Sequence, residues 1–221
     1  MRKSDNTLDR ILLTGILPVV RAHTGEEALA LVGAIRAGGI DIIELTMTVP
    51  GAVDLIRELT IRFGDDVVVG AGTVLDAETA RACILAGARF VVSPSLDIPT
   101  IACCNTYSIP VFPGALTPTE ILTAWRAGAT MVKVFPASAM GGIGYIRALK
   151  GPLPQIELVA TGGVSLANAG DFILAGASAV GAGSDLISAA AGEGGMDAVA
   201  EKARQYMQEI RNARAALTAR C

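Results

Sequence analysis

Apolar, largely β-branched runs alternate with Ala-rich stretches of helical period along the whole chain. The runs predict strands over 16–21, 41–46, 67–72, 88–93, 109–113, 130–135, 157–161 and 178–182. Helical patterns fall between them at 26–38, 52–63, 77–87, 99–106, 118–128, 142–150 and 167–176. A last helical segment runs over roughly 184–219, interrupted near Gly192, Gly194 and Gly195. Strand–helix alternation implies parallel pairing through right-handed crossovers. A weak repeat points the same way. Ala-Gly and a small residue close a helix before a strand at Ala37-Gly38-Gly39, Ala86-Gly87-Ala88, Ala127-Gly128-Ala129 and Ala175-Gly176-Ala177. Successive copies lie two βα units apart. Eight such units in this length predict an α/β fold, a (β/α)8 TIM barrel with an extra N-terminal helix, as a single domain over 1–221. An open doubly wound sheet is the alternative, and no G-x-G-x-x-G follows the first strand to support it.

Composition sharpens this picture. Hydrophobic residues make up 52% of the 221 and charged residues 18%, so most of the chain packs against itself. Aromatics are only 4%, which leaves Ala, Val, Ile and Leu to build the doubly covered strands of a parallel sheet. A net charge of -3 without a basic block argues against nucleic acid and anionic membrane as partners. No apolar run has the length of a membrane span. The opening MRKSDNTLDRILLTG is polar and then a short helix rather than a signal peptide, so a cytoplasmic location is expected. Cys83, Cys103, Cys104 and Cys221 form no C-x-x-C pair and read as small buried hydrophobes. His23 is the one histidine, and no metal site is expected.

Two charges break the apolar pattern. Lys133 sits in Met-Val-Lys-Val-Phe-Pro (131–136) and Glu44 in Ile-Ile-Glu-Leu-Thr (42–46). An ammonium out of water loses several kcal/mol of hydration unless compensated. Such surroundings favour the neutral amine, which can attack a ketone to form an imine. A lysine whose stem packs while its head reaches water is the other reading. Glu44 can move protons for that chemistry, or form a structural ion pair with Lys133.

The remaining strand ends supply small and polar groups on the same face of a parallel barrel: Arg21, Thr48, Gly72-Thr73, Ser93-Pro94, Thr161-Gly162-Gly163 and Gly183-Ser184. The glycines after strands seven and eight suit an anion held by backbone N–H groups, or tight turns alone. Thr73 can hold a carboxylate or carbonyl oxygen, or cap the next helix. Phe135 can dry the site or belong to the core.

With these residues assembled, the chain resembles the class I aldolases of the 2-keto-3-deoxy-6-phosphogluconate (KDPG) and 2-keto-3-deoxy-6-phosphogalactonate (KDPGal) type. IIELTMT, VGAGTVL, FVVSPSLD, PVFPGALTPTE, VKVFPAS, YIRALKGPLPQIELVATGGV and AGSDLI carry the resemblance, in order and end to end. It implies a cofactor-free homotrimer that cleaves a phosphorylated 2-keto-3-deoxy sugar acid to pyruvate and glyceraldehyde 3-phosphate. It puts the Schiff-base lysine on Lys133, the general acid/base on Glu44 and the pyruvyl carboxylate on Thr73. Pro94 and Phe135 fall on the lining of the pyruvyl pocket, and Gly162, Gly163 and Ser184 on the phosphate site; from their places at the ends of strands seven and eight, Thr161 is expected to bind substrate and Gly183 to join the phosphate site. Gluconate-type members carry an arginine where Thr48 stands, whereas galactonate-type members carry one at Arg21. Either epimer is therefore a candidate substrate, with 4-hydroxy-2-oxoglutarate as the alternative. A sugar-phosphate isomerase or epimerase, and a catalytically silent barrel that binds a phosphorylated metabolite, are the more distant alternatives.

Overall fold

Every strand residue is buried, as expected for parallel strands covered on both faces. The computed structural model describes residues 5–219. Residues 1–4 and 220–221 lie outside them, Cys221 among these. The strands are β1 (Ile16–Val20), β2 (Ile42–Thr46), β3 (Val68–Gly72), β4 (Val91–Val92), β5 (Val111–Phe112), β6 (Gly114–Ala115), β7 (Val132–Val134), β8 (Leu158–Thr161) and β9 (Ala179–Ala182). They form one sheet in the order β5-β4-β3-β2-β1-β9-β8-β7-β6, with every pairing parallel.

Nine segments make eight staves. The fifth predicted strand, 109–113, is instead two short pieces flanking Pro113. β5 pairs with β4, and β6 pairs with β7. Pro113 has no N–H to donate, but its carbonyl accepts from Lys133 N–H at 2.9 Å. The two ends of the sheet are thus one continuous stretch of chain, and the barrel closes through it. The predicted strand at 88–93 is regular only at Val91–Val92. Bonds from Arg89 N–H to the Val69 carbonyl and from Ser93 N–H to the Phe112 carbonyl still carry the pairing beyond it.

The helices are α1 (Asp5–Thr14), α2 (Gly25–Ala37), α3 (Ala52–Phe63), α4 (Ala77–Ala86), α5 (Ile98–Thr106), α6 (Pro118–Arg126), α7 (Ile143–Lys150), α8 (Ala169–Leu174), α9 (Ser184–Ile187) and α10 (Gly195–Thr218). Thr24, Asp76, Asp97 and Thr117 cap α2, α4, α5 and α6, each side chain accepting an N–H of the first turn. The cap of α4 is therefore Asp76, not Thr73. The left-handed residues of the Ala-Gly closures are Gly39, Gly87, Gly128 and Gly176; Gly38 stays right-handed. The long terminal segment is α9, a 3-10 turn at Ser188–Ala191 and then α10, divided where Gly192, Gly194 and Gly195 interrupt the helical period.

Two apolar clusters hold this frame. One lies between the strands and the surrounding helices. The other fills the barrel itself with Leu17, Ile42, Val68, Phe90, Phe112 and Met131, among others. Phe90 and Phe112 stack there at 5.6 Å. Ile11 of α1 belongs to this interior cluster, and Leu8 and Leu12 pack against it. The extra N-terminal helix is thus a plug at the amino ends of the strands, and the opposite end is left for chemistry.

Candidate active site

β2 and β7 each send one charged side chain into the barrel. Lys133 is 4% exposed and Glu44 2% exposed, and Lys133 Nζ lies 3.6 Å from Glu44 Oε1. Lys133 Nζ also sits 5.2 Å from the centroid of the Phe135 ring. Phe135, just past the end of β7, sets its ring beside this ammonium and also lines a neighbouring cavity. Among the described residues Glu44 Oε1 has no hydrogen-bond partner. A buried carboxylate oxygen with no donor costs about 1–3 kcal/mol, so the pair is poorly built as a stabilising device. It is well built as an amine beside a proton acceptor. The reading in which the lysine head reaches water does not hold.

Missing side chains make room for these two. Glu44 lies in register with Gly70, and a Cβ at Gly72 would overlap the Glu44 carboxylate. Lys133 lies in register with Gly114, where a Cβ would run into the backbone of Pro94. Pro94 is therefore packed one stave from the lysine. Thr73 follows Gly72 with φ +57°, a left-handed conformation that a β-branched residue rarely takes. Such strain persists only where surrounding structure enforces it, and here it lies next to the Glu44 contact.

A cavity of about 410 Å³ opens beside Phe135, whose ring is the link to Lys133; Lys133 and Glu44 themselves do not line it. Arg21, Phe135, Thr161, Gly162, Gly163, Gly183 and Ser184 all line it. Arg21 is its one charged lining residue among those described. Gly162 and Gly163 take φ of +90° and +77°, which turns the chain sharply at the end of β8. Thr161 is 8% exposed, and a Cβ at Gly181 on the next stave would overlap its hydroxyl. Thr73 and Pro94 do not line the cavity; they adjoin Glu44 and Gly114 instead. Thr48 is exposed and opens on a separate surface hollow with Met47 and Val49–Asp54. Its hydroxyl meets that of Thr46 at 2.8 Å, and Thr46 donates to the Val20 carbonyl. Among the described residues no group of three or more His, Cys, Asp or Glu side chains could hold a metal ion.

Sequence reading missed the residues behind the two glycine turns. Asp185 accepts from Tyr206, Lys202 and the Leu166 N–H. Burial by itself would raise its carboxyl, but these donors outweigh burial and hold it below the ordinary 3.8. Asn168 accepts from Ser165 N–H, three residues before it, and donates to the Gly163 carbonyl. The Ser-x-x-Asn spacing is the one local signal that marked this support.

A family model described as "Aldolase: KDPG and KHG aldolase" matches residues 8–201. The 2-dehydro-3-deoxy-6-phosphogalactonate aldolase of Escherichia coli K12 is 36% identical over 199 residues, covering 90% of this chain and 95% of that protein. The KHG/KDPG aldolase of the same organism is 33% identical over 210 residues, covering 94% and 98%. A crystal structure of KDPG aldolase from Legionella pneumophila, with pyruvate captured as a covalent carbinolamine intermediate, superposes with a TM-score of 0.81. It is 30% identical and covers 88% of this chain and 95% of that one.

Proposed function

The chain belongs to the KDPG and KHG aldolase family and is a class I aldolase; from that premise we propose that it reversibly cleaves a 2-keto-3-deoxy-6-phospho sugar acid to pyruvate and glyceraldehyde 3-phosphate. Lys133 Nζ attacks the C2 ketone, and Glu44 delivers the proton with which the carbonyl oxygen leaves as water. The resulting iminium is the electron sink. Glu44, directly or through a water, removes the C4 hydroxyl proton. The C3–C4 electrons move into the iminium, and the aldehyde departs. C3 of the enamine is then protonated, and hydrolysis of the imine frees pyruvate and Lys133. Thr73, Pro94, Phe135 and Thr161 hold the keto-acid end. Gly162, Gly163, Gly183 and Ser184 bind the phosphate through N–H and hydroxyl groups. Arg21 lends positive charge at the mouth. In this reading the barrel acts as one domain, in the cytoplasm, and as a homotrimer; light scattering is expected to give three times the 22.6 kDa of one chain, and a monomer mass would contradict the trimer.

One observation carries this reading: two charges 3.6 Å apart, both nearly sealed from water, with the Phe135 ring beside Lys133 lining a cavity rimmed by glycine turns. 4-Hydroxy-2-oxoglutarate is the second reading, supported by the 33% identity to a relative named KHG/KDPG aldolase. Pyruvate release coupled to lactate dehydrogenase, run on both epimers and on 4-hydroxy-2-oxoglutarate, tests both. Faster turnover of a phosphorylated epimer supports the first reading. Preference for 4-hydroxy-2-oxoglutarate supports the second, and release from none of them defeats both. EDTA is expected to leave the rate unchanged.

A further inference from the structure

Two turns on different staves shape the mouth of the cavity. One follows β8 through Gly162 and Gly163; the other, Gly183-Ser184, leads into α9. Backbone N–H groups on separate turns hold a common anion only if their spacing is fixed before it arrives. A single carboxylate oxygen supplies that fixture. Asp185 Oδ2 accepts from the Leu166 N–H at 3.2 Å, reaching across to the β8 turn. It also accepts from the Tyr206 hydroxyl at 2.7 Å and pairs with Lys202 Nζ at 3.0 Å, both on α10. Lys202 Nζ donates as well to the carbonyl of Asp185 at 2.7 Å. Tyr206 is fully buried, so its ring anchors the oxygen from a rigid wall. Asn168 fixes the other side of the β8 turn through Ser165 and Gly163.

A bare carboxylate beside Ser184 would repel an anion. This one has its donors around a single oxygen and a lysine partner, so its charge is spent inward.

We propose that Asp185, backed by Tyr206 and Lys202, is a positioning residue that locks the Ser184 turn to the Gly162–Gly163 turn at the spacing a substrate's phosphate group requires. This rests on reading those turns as the phosphate site. It separates the two ends of the substrate: the brace serves the phosphate and leaves the keto-acid chemistry at Lys133 untouched.

Tyr206→Phe tests it, because the ring stays and only the hydroxyl goes; Asp185→Asn is the second variant. KM for the phosphorylated substrate is expected to rise about tenfold or more, the effect of losing a hydrogen bond to a charged group. Turnover of unphosphorylated 4-hydroxy-2-oxoglutarate and borohydride trapping of pyruvate are expected to match the wild type. Inorganic phosphate, titrated by calorimetry, is expected to bind the variants about tenfold more weakly, by the same lost bond. Equal phosphate affinity in wild type and both variants overturns the proposal. So does a matching loss with the unphosphorylated substrate, which would mean general loosening. If the wild type traps no pyruvate, the aldolase reading fails, while the phosphate titration still decides the brace.

Discussion

Lys133 and Glu44 were legible in the sequence because each interrupts an apolar strand, and a charge in such a place is expensive to keep. What their surroundings show is an ion pair poorly suited to stabilising anything: 3.6 Å apart, with one carboxylate oxygen lacking a hydrogen bond. Replacing a buried pair with hydrophobic side chains of similar size is often neutral or stabilising by about 1–4 kcal/mol. The double variant Lys133→Met/Glu44→Leu is therefore expected to be inactive yet at least as resistant to denaturant as the wild type. A lower denaturation midpoint would mean that the pair serves the fold. Glu44→Gln alone is expected to slow turnover roughly 10²–10⁴-fold, the usual contribution of a general acid–base group. Asp185 and Tyr206 escaped notice for the opposite reason. They lie 21 positions apart on different helices, each in an unremarked context, and only the packing of α10 against the barrel brings them together.

At the scale of elements, alternation and the Ala-Gly closures revealed the order of strands and helices. Periodicity could not show where a buried strand stops being regular, because flanking residues are equally apolar. It could not show the interruption at Pro113 either, since a proline at a strand end and one within a stave look alike until the neighbouring N–H is placed. The strand predicted over 67–72 contains Gly70 and Gly72, and β3 holds both; what the pattern could not show is that Gly72 clears space for a side chain on the neighbouring stave. Gly72→Ala would push its methyl into the Glu44 carboxylate. The expected result is a fall in kcat comparable to Glu44→Gln, with helical content by circular dichroism unchanged. Near-wild-type kcat would show that Glu44 has another place to sit.

For the whole molecule, the barrel and its plug set the stability limits. Burial pushes the Cys83 thiol up to about 11, aided by the negative charge of Asp76, and the Cys104 thiol up to about 12, also raised by neighbouring Cys103 and Cys83. Thiols raised in the folded state contribute stability that is complete below the ordinary 9.0 and lost as pH climbs through the folded values, because the unfolded chain ionises first. The denaturation midpoint is expected to decline between 9.0 and about 11 to 12; a flat profile there would place these thiols in contact with water. Closure of the barrel itself was readable from the count of units. Its closing seam and the docking of α1 beneath the interior cluster depend on contacts far apart in the chain, to which local pattern is blind.

The central claim is that Lys133 forms an imine with a keto acid, and reduction of that imine tests it most directly. The folded wild type is incubated with pyruvate, treated with borohydride, digested and sequenced by mass spectrometry. A stable pyruvyl adduct confined to Lys133, absent from Lys133→Met, is the predicted result. A folded protein that carries no adduct, or carries it on Lys150 or Lys202 instead, would contradict it.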